Sequence, residues 1–188
     1  MFLSSCLSLS LCLVNFHSAG TNVNWSDTST NKKIVYAYLS ALKNFDHAKM
    51  KTFIHPSMLF PDSKMEGYRA FEKEMRTVWI YTILKANEDS VFAEETEDNI
   101  FYDCLGVGAR YQEYCYVLKD GLIFLTIQIN MHHIHGEYKA AYARFLNWLL
   151  KSPAKNDSLL LRNEDLIFDG ESAIRMKPWL QQWKRLNE

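Results

Sequence analysis

The feature that most constrains the fold is a succession of amphipathic helical segments between residues 31 and 79. Apolar side chains recur at helical spacing in the first segment, which predicts a helix from about Asn31 to Phe45. Asp46 is a natural N-cap for a second, shorter helix that buries Met50. Pro56 ends this helix, because a residue before proline is driven out of the helical region of backbone space.

A short strand and a third helix follow. Ser57–Phe60 is predicted to be a strand, closed by Pro61-Asp62. The third helix begins after Gly67, and the spacing of its apolar residues predicts that it buries Phe71, Met75, Val78 and Trp79. Three helices therefore precede the part of the chain that reads as β-sheet.

The periodicity then changes to that of strands. Residues 84–93 are compatible with extended backbone, and Glu95–Asn99 is read as a polar turn. Strands are predicted at Ile100–Leu105, Ala109–Leu118 and Leu122–Ile134. Lys119-Asp120-Gly121 is the strongest turn signal in the chain, so the last two strands form a hairpin.

Two segments flank residues 32–134, which we read as the main domain. Residues 135–188 predict a helix from about Glu137 to Lys151 and a last helix near Pro178, and they are apolar enough to pack on the main domain. Residues 21–31 read as a polar linker. Residues 1–20 resemble an export signal, with an apolar run followed by small residues and a cleavage site near Gly20, although the run lacks a preceding Lys or Arg.

Charge and length narrow the functional classes. A chain of 188 residues suits one well-formed core. The formal net charge of −1 provides no basic footprint, so nucleic-acid binding is disfavoured. The apolar run at the N-terminus is shorter than the roughly 20 residues of a membrane span, and no stable membrane insertion is expected after cleavage. No glycine-rich phosphate loop precedes a helix, and no cofactor is expected.

Three sequence features carry a resemblance over roughly residues 32–132. They are the helix pair ending in His55-Pro56 and Phe60, the segment Gly67-Tyr68-Arg69-Ala70-Phe71, and the turn Leu118–Ile123. This arrangement resembles the nuclear-transport-factor-2-like superfamily and its polyketide-cyclase-like branch. The resemblance implies an α+β fold in which three N-terminal helices pack on a cone-shaped, curved antiparallel sheet, with residues 135–188 added as a C-terminal helical extension.

The resemblance also implies a pocket between helices and sheet, a small-molecule ligand, and a homodimer formed through the sheet. Members of the superfamily include enzymes, binding domains and association modules, so the fold does not choose among them. We expect the pocket to be lined by the following residues: Tyr38, His55, Phe60, Met75, Trp79, Ile127 and Ile129.

Candidate catalytic residues depend on the register of the hairpin. A three-residue turn places Tyr111 and Glu113 on the face of Ile127 and Ile129, with Asp103 joining from a neighbouring strand. Desolvated carboxylates beside a hydroxyl donor suit acid–base chemistry. A two-residue turn reverses the faces and leaves the isoleucine face without a carboxylate, because a one-residue slip moves every side chain to the other side.

A histidine cluster offers a second kind of site. His133 and His135 alternate onto one strand face, and Glu137 could add a third ligand, which is a spacing that can chelate a metal. Hydrogen-bonded loop residues are the more common role of histidines at the end of a strand, and no metal is expected.

Three functional hypotheses remain from the sequence. The first is an exported small-molecule-binding protein, and the second is a cofactor-free isomerase, cyclase or dehydratase that transfers a proton on a carbonyl substrate. The third is a dimerisation module whose pocket is filled by its own side chains. Buried carboxylates facing an open cavity would favour the enzyme, and an open cavity without them would favour binding.

Overall fold

The computed structural model describes residues 28–58 and 62–188, with the side chains of residues 62–64 excepted. The elements in chain order are α1 (Thr28–Lys43), α2 (His47–Lys51), a 3₁₀ turn (Pro56–Met58), α3 (Asp62–Glu74), β1 (Val78–Ala86), β2 (Ser90–Asp98), α4 (Ile100–Leu105), β3 (Arg110–Lys119), β4 (Leu122–His133), α5 (Tyr138–Leu149), a 3₁₀ turn (Pro153–Asn156), β5 (Leu161–Arg162), β6 (Asp165–Leu166) and α6 (Gly170–Asn187). The predicted leader and most of the predicted linker, residues 1–27, lie outside the described part.

Strands β1 to β4 form one antiparallel sheet in which each strand pairs with the next along the chain. The sheet is open, with β1 and β4 as its edges, and β5 and β6 form a separate two-stranded ribbon. The chain is therefore an α+β protein, as the sequence predicts.

The hairpin β3–β4 combines features of both registers considered from the sequence. Asp120 and Gly121 have φ of 52° and 74°, and Lys119 lies opposite Leu122, so the connection is a two-residue turn. A bulge next to the turn then places Cys115 opposite Ile127, which restores the faces of the three-residue alternative. A second bulge beyond Glu113 shifts the pairing once more. No uniform register describes this hairpin.

Helices α1 and α2 both form, but α1 spans Thr28–Lys43 instead of Asn31–Phe45, and α2 ends at Lys51, before Pro56 is reached. Val35, Leu39 and Leu42 are buried along one side of α1, which packs on β1 and β2. The Asp46 side chain accepts a hydrogen bond of 3.0 Å from the backbone N–H of Lys49, and this N-cap starts α2. The predicted strand at Ser57–Phe60 is wrong for Ser57 and Met58, which lie in a 3₁₀ turn that begins at Pro56, and Phe60 lies outside the described residues.

The third helix begins and ends earlier than the sequence predicts. It starts at Asp62 and stops at Glu74, and Arg76 then adopts a φ of 55°, a left-handed conformation that breaks the helix. Val78 and Trp79 therefore belong to strand β1. Alternation of exposed Val78 with buried Trp79 fits a strand period of two and overrides the helical spacing seen in the sequence.

The predicted strand Ile100–Leu105 is a helix, α4. The Asn99 side chain accepts from the backbone N–H of Tyr102 at 2.9 Å, and Gly106 ends the helix with a φ of 72°. Asn and Gly are common at helix ends, but the polar run Glu95–Asn99 predicts a turn. That turn is also wrong, because Glu95 to Asp98 continue strand β2.

The buried apolar side chains form two clusters. The sheet core lies between α1, α2 and the sheet, and contains Val35, Leu39, Met50, Trp79 and Tyr116 among others. The C-terminal core lies between α3, α4, α5 and α6, and is built on Phe71, Phe101, Phe145, Met176 and Leu180 with their neighbours. Helix α6 packs on α3 and α4 and links residues 135–188 to the rest.

Helix α5 confirms the helix predicted at Glu137–Lys151. Helix α6 begins eight residues before Pro178, because Asp169 and Ser172 form a reciprocal capping box that starts it at Gly170. Within the described part of the chain, no helix combines the length and apolar character needed to cross a membrane.

Candidate functional site

A cavity of about 310 Å³ opens between the helices α1, α2 and α3 and the inner face of the sheet. Its walls contain apolar side chains such as Leu42, Met50 and Ile123 and aromatic side chains such as Tyr38 and Trp79. Charged side chains line the same space. The cavity therefore combines an apolar body with a polar wall, which is typical of ligand sites.

The polar wall comes from alternate residues of β2. Val91, Ala93, Glu95 and Glu97 all point to the inner face, and the two glutamates are 3 % and 2 % exposed. Ionised carboxylates are rarely buried to this extent unless they are paired. The spacing of two from Val91 to Glu97 is visible in the sequence, but the reading of Glu95–Asn99 as a turn concealed it.

Two arginines face these carboxylates. Arg110 on β3 donates to Glu97, and Arg69 on α3 donates to Glu72, one helical turn away. Both glutamates are 3 % exposed at their side chains, and both ion pairs are largely screened from water. Pairing removes much of the cost of burying four charges in one wall.

Glu95 has a different partner. Tyr116 on β3 donates its hydroxyl hydrogen to Oε1 of Glu95, and the ring of Tyr38 lies edge-on to Tyr116 with 5.8 Å between centroids. Burial raises the pKa of Glu95 to about 7, although the hydrogen bond from Tyr116 and the positive charge of Arg110 act in the opposite direction. This carboxyl group therefore titrates near neutral pH.

Glu72 is shifted in the same direction. Burial raises its pKa to about 7 against the opposing effect of Arg69. Burial also raises the pKa of Tyr38 to about 12, which keeps its hydroxyl protonated at physiological pH. Two carboxyl groups that change charge near pH 7 thus share one enclosed space with tyrosine hydroxyls.

Several buried donors of this wall have no hydrogen-bond partner among the described residues. They are Trp79 Nε1, Arg69 Nε, Arg110 Nε and Gln112 Nε2, and both ring nitrogens of His47 are unpartnered as well. A buried polar group without a partner costs free energy, and such groups concentrate at functional sites. Gln112, which is buried beside this wall, does accept from Tyr114 Oη at 2.6 Å.

The structure does not bring together the three catalytic residues predicted from the sequence. Tyr111 donates to Glu113 at 3.0 Å, but both point away from the cavity, on the outer face of the sheet. Asp103 lies on α4, where Lys184 of α6 holds it on the surface at 2.9 Å. The sequence placed Asp103 on a strand, and the helix carries it away from the sheet.

Of the residues expected to line the pocket, Tyr38 and Trp79 lie in the wall of this cavity. Ile127 and Ile129 are 45 % and 53 % exposed on the edge strand β4, and Met75 is fully enclosed in the C-terminal core. His55 lies beyond the cavity lining and bonds Ser57 at 2.7 Å, next to the ring of Phe124. Phe60 lies outside the described residues.

The histidine cluster is not arranged as a metal site. His133 Nδ1 contacts the carbonyl oxygen of Gly108 at 3.2 Å, and its ring stacks on Tyr138. The ring of His135 lies close to Gly108. A Cβ atom added to this glycine would be 2.6 Å from Cδ2 of His135. Across residues 28–58 and 62–188, no group of three or more His, Cys, Asp or Glu residues could hold a metal ion.

Comparison with known proteins leaves the family open. No model of a protein family matches the chain, and no curated protein matches its sequence.

Proposed function

We propose that this chain is a small-molecule-binding protein and that its ligand occupies the cavity between α1, α2, α3 and the sheet. The observation that carries the proposal is the cavity itself. Its volume of about 310 Å³ lies in the range of roughly 300–1,000 Å³ that ligand pockets occupy. Apolar walls supply affinity, and buried polar groups such as Glu95 supply orientation.

We further propose that the fold is of the nuclear-transport-factor-2-like kind, with a curved sheet that forms a cone around the ligand. Support comes from the chain order, in which three helices precede an antiparallel sheet, and from the cavity between them. The C-terminal helices α5 and α6 extend this arrangement. A solved structure of the protein would test the curvature of the sheet directly.

Ligand binding is tested by screening a fragment library for changes in the NMR spectrum of the labelled protein. Thr126 lines the cavity on an edge strand, and Thr82 is exposed on the outer face of the opposite edge strand. Thr126→Trp should fill the cavity and abolish binding, and Thr82→Trp is the matched control that should retain it. If no fragment binds, or if both variants bind equally, the proposed function is wrong.

A second candidate function is proton transfer without a cofactor, and the buried carboxylates favour it. Glu95 and Glu72 face the open cavity with pKa values near 7, which suits a general base at physiological pH. Tyr116 would be the hydroxyl donor beside Glu95. These residues take the roles that the sequence assigned to Asp103, Tyr111 and Glu113.

The catalytic candidate is tested by following hydrogen–deuterium exchange next to the carbonyl group in a panel of ketones by NMR. Catalysed exchange that disappears in Glu95→Gln and persists in Glu94→Gln would establish it, because Glu94 is the adjacent residue on the outer face. Absence of exchange with every ketone would leave binding as the function.

Two further proposals concern the setting of the protein. We propose export with cleavage near Gly20, which N-terminal sequencing of the mature protein would test.

We also propose a homodimer through the outer face of the sheet, supported by exposure of Val78, Ile80 and Ile127 on the edge strands. Light scattering should show a dimer, and Ile127→Lys should convert it to a monomer.

A further inference from the structure

The cavity lining contains two carboxylates, Glu72 and Glu95, beside the cationic side chains of Lys51, Arg69 and Arg110. Arg69 is engaged by Glu72 and Arg110 by Glu97, and both pairs are largely buried. Glu95, which is 3 % exposed, has neither arginine as its hydrogen-bonded partner. Glu95 is therefore the buried glutamate of this wall that has no arginine as a hydrogen-bonded partner.

One oxygen of Glu95 is available to a ligand. Oε1 accepts from Tyr116, and among the described residues no hydrogen-bond donor contacts Oε2. A buried carboxylate with an unused oxygen is stabilised by a cationic donor more than by any neutral group. Glu95 is thus a buried acceptor in the polar wall of the cavity.

Aromatic rings line the same cavity as this acceptor. Tyr38, Tyr68, Trp79, Tyr114 and Tyr116 all line the cavity. The faces of such rings attract cations, and ammonium groups are commonly held by several aromatic side chains together. The same rings provide apolar surface for the body of a ligand.

We infer that the ligand is an organic cation, namely a protonated amine on an apolar or aromatic body, whose ammonium group lies against Glu95. This inference rests on the proposed binding function and names the class of its ligand. An anionic ligand would find the unpartnered Nε hydrogens of Arg69 and Arg110, but its charge would lie close to the carboxyl group of Glu95. A neutral ligand would leave the unused oxygen of Glu95 without a cationic donor.

The pH dependence of binding follows from the surroundings of Glu95. Arg110, Glu97 and Arg69 act on it electrostatically, Tyr116 bonds it, and Glu72, His47 and Lys51 line the cavity from the helices. Burial keeps the pKa of Glu95 near 7 in the free protein, so the carboxyl group is largely protonated at pH 6. An ammonium group requires the ionised form, and binding at pH 6 must release a proton. Affinity for an amine should fall by about tenfold per unit of pH below 7.

The experiment compares three probes of one shape by isothermal titration calorimetry: tryptamine, tryptophol and indole-3-propionate. A second series of phenethylamine, 2-phenylethanol and 3-phenylpropionate repeats the test with a smaller body. We expect each amine to bind at least tenfold more tightly than its alcohol and its carboxylate. Titration at pH 6 in buffers of different ionisation enthalpy should show proton release from the complex.

Substitution separates the role of Glu95 from general packing. Glu95→Gln should reduce the preference for the amine over the alcohol to about one, and Glu94→Gln should leave it unchanged. If Glu95→Gln fails to fold, two measurements on the unmodified chain test the inference instead. They are the pH dependence of amine affinity and the release of a proton on binding at pH 6. The inference is overturned if an alcohol or carboxylate binds as tightly as its amine, if no amine of either series binds, or if no proton is released.

Failure of this inference and failure of the proposed function give different results. A neutral or anionic fragment whose binding is lost in Thr126→Trp would overturn the amine and leave the binding site in place. A cavity that takes no fragment at all would overturn both.

Discussion

The sheet core and the C-terminal core bury different kinds of side chain. The sheet side of the molecule encloses three glutamates, Glu72, Glu95 and Glu97, close to its apolar cluster. The helices α5 and α6 bury only Ser172 among their polar residues, and its hydroxyl is satisfied by the capping box and by the carbonyl oxygen of Ile167. One region therefore bears the cost of buried charge, and the other contributes apolar packing.

This contrast separates function from stability within one chain. Buried carboxylates that stay partly protonated do not strengthen a fold, so their concentration around a cavity indicates a site. Among the described residues, helices α4, α5 and α6 of the C-terminal core contribute no buried carboxylate, and α6 packs against α3. Helix α3 connects the regions, because Phe71 belongs to the C-terminal core and Glu72 lines the cavity.

The largest effect is expected from a cavity made in the C-terminal core. Phe145 is completely buried there and contacts the rings of Phe101 and Trp183. Phe145→Ala should lower the free energy of unfolding by about 3–5 kcal/mol in urea titrations. Leu186→Ala is the control, since Leu186 is 64 % exposed and its loss should leave stability nearly unchanged. Equal effects of the two variants would contradict the assignment of this core.

The next largest effect concerns the buried charge on the sheet side. The pKa of Glu95 is raised from 4.5 to about 7, so between these pH values the folded chain binds a proton that the unfolded chain has lost. Stability from this group is present below about pH 4.5 and is lost as the pH rises to about 7. Glu95→Gln should therefore raise the free energy of unfolding at pH 8, by up to about 3 kcal/mol, and change it little at pH 4.5.

Urea titrations of both proteins across pH 4.5–8 measure this difference. Glu94→Gln serves as the control on the outer face and should follow the wild type. A Glu95→Gln variant that is less stable than the wild type at pH 8 would show that the buried charge is compensated, and would remove the contrast between the two regions.

A smaller effect is expected at the start of α6. The Asp169 side chain accepts from the Ser172 backbone N–H at 2.8 Å, and this cap begins the longest helix of the C-terminal region. Asp169→Ala should cost about 1 kcal/mol of stability. Asp169→Asn keeps the acceptor and should recover most of the loss. Neither variant should change ligand binding in the cavity. Titration of each folded variant with a cavity-binding fragment would check this.

The smallest effect is expected at Asp103. Its carboxylate is 64 % exposed and pairs with Lys184 on the surface, where ion pairs contribute little. Asp103→Asn should leave the urea midpoint, fragment binding and any ketone exchange unchanged. Loss of exchange in Asp103→Asn together with normal exchange in Glu95→Gln would return the catalytic role to the residue predicted from sequence.

Local sequence signals predicted the helices and turns well where a single periodicity, helical or strand-like, dominated a segment. The helical stripe of Leu39 and Leu42, the cap at Asp46 and the turn at Asp120-Gly121 each stand in the structure as the sequence indicates. Predictions failed at positions where two periods compete. Val78 and Trp79 extend the helical stripe of α3 and equally begin an alternating strand, and packing of β1 against α1 decides for the strand.

The candidate site was missed because its residues look like surface residues. A run such as Glu94-Glu95-Thr96-Glu97-Asp98 is polar enough to be a turn, and nothing local indicates that every second carboxylate is buried. Arg69 and Arg110 lie 41 positions apart, and the pair Arg69–Glu72 comes close to Glu95 only through the folding of α3 over the sheet. Two bulges in the hairpin changed the faces of β3 and β4, and turn chemistry alone does not predict bulges.

The sequence by itself determined the α+β class, the positions of α1, α2, α5, β3 and β4, and the presence of a helical segment after the sheet. These features depend on periodicity, caps and turns, which act over a few residues. Only the tertiary structure decided that Glu95 faces a cavity and Tyr111 faces outward. Burial of a carboxylate depends on which distant elements cover it and on the register that orients it, and neither is encoded within a few residues of the site.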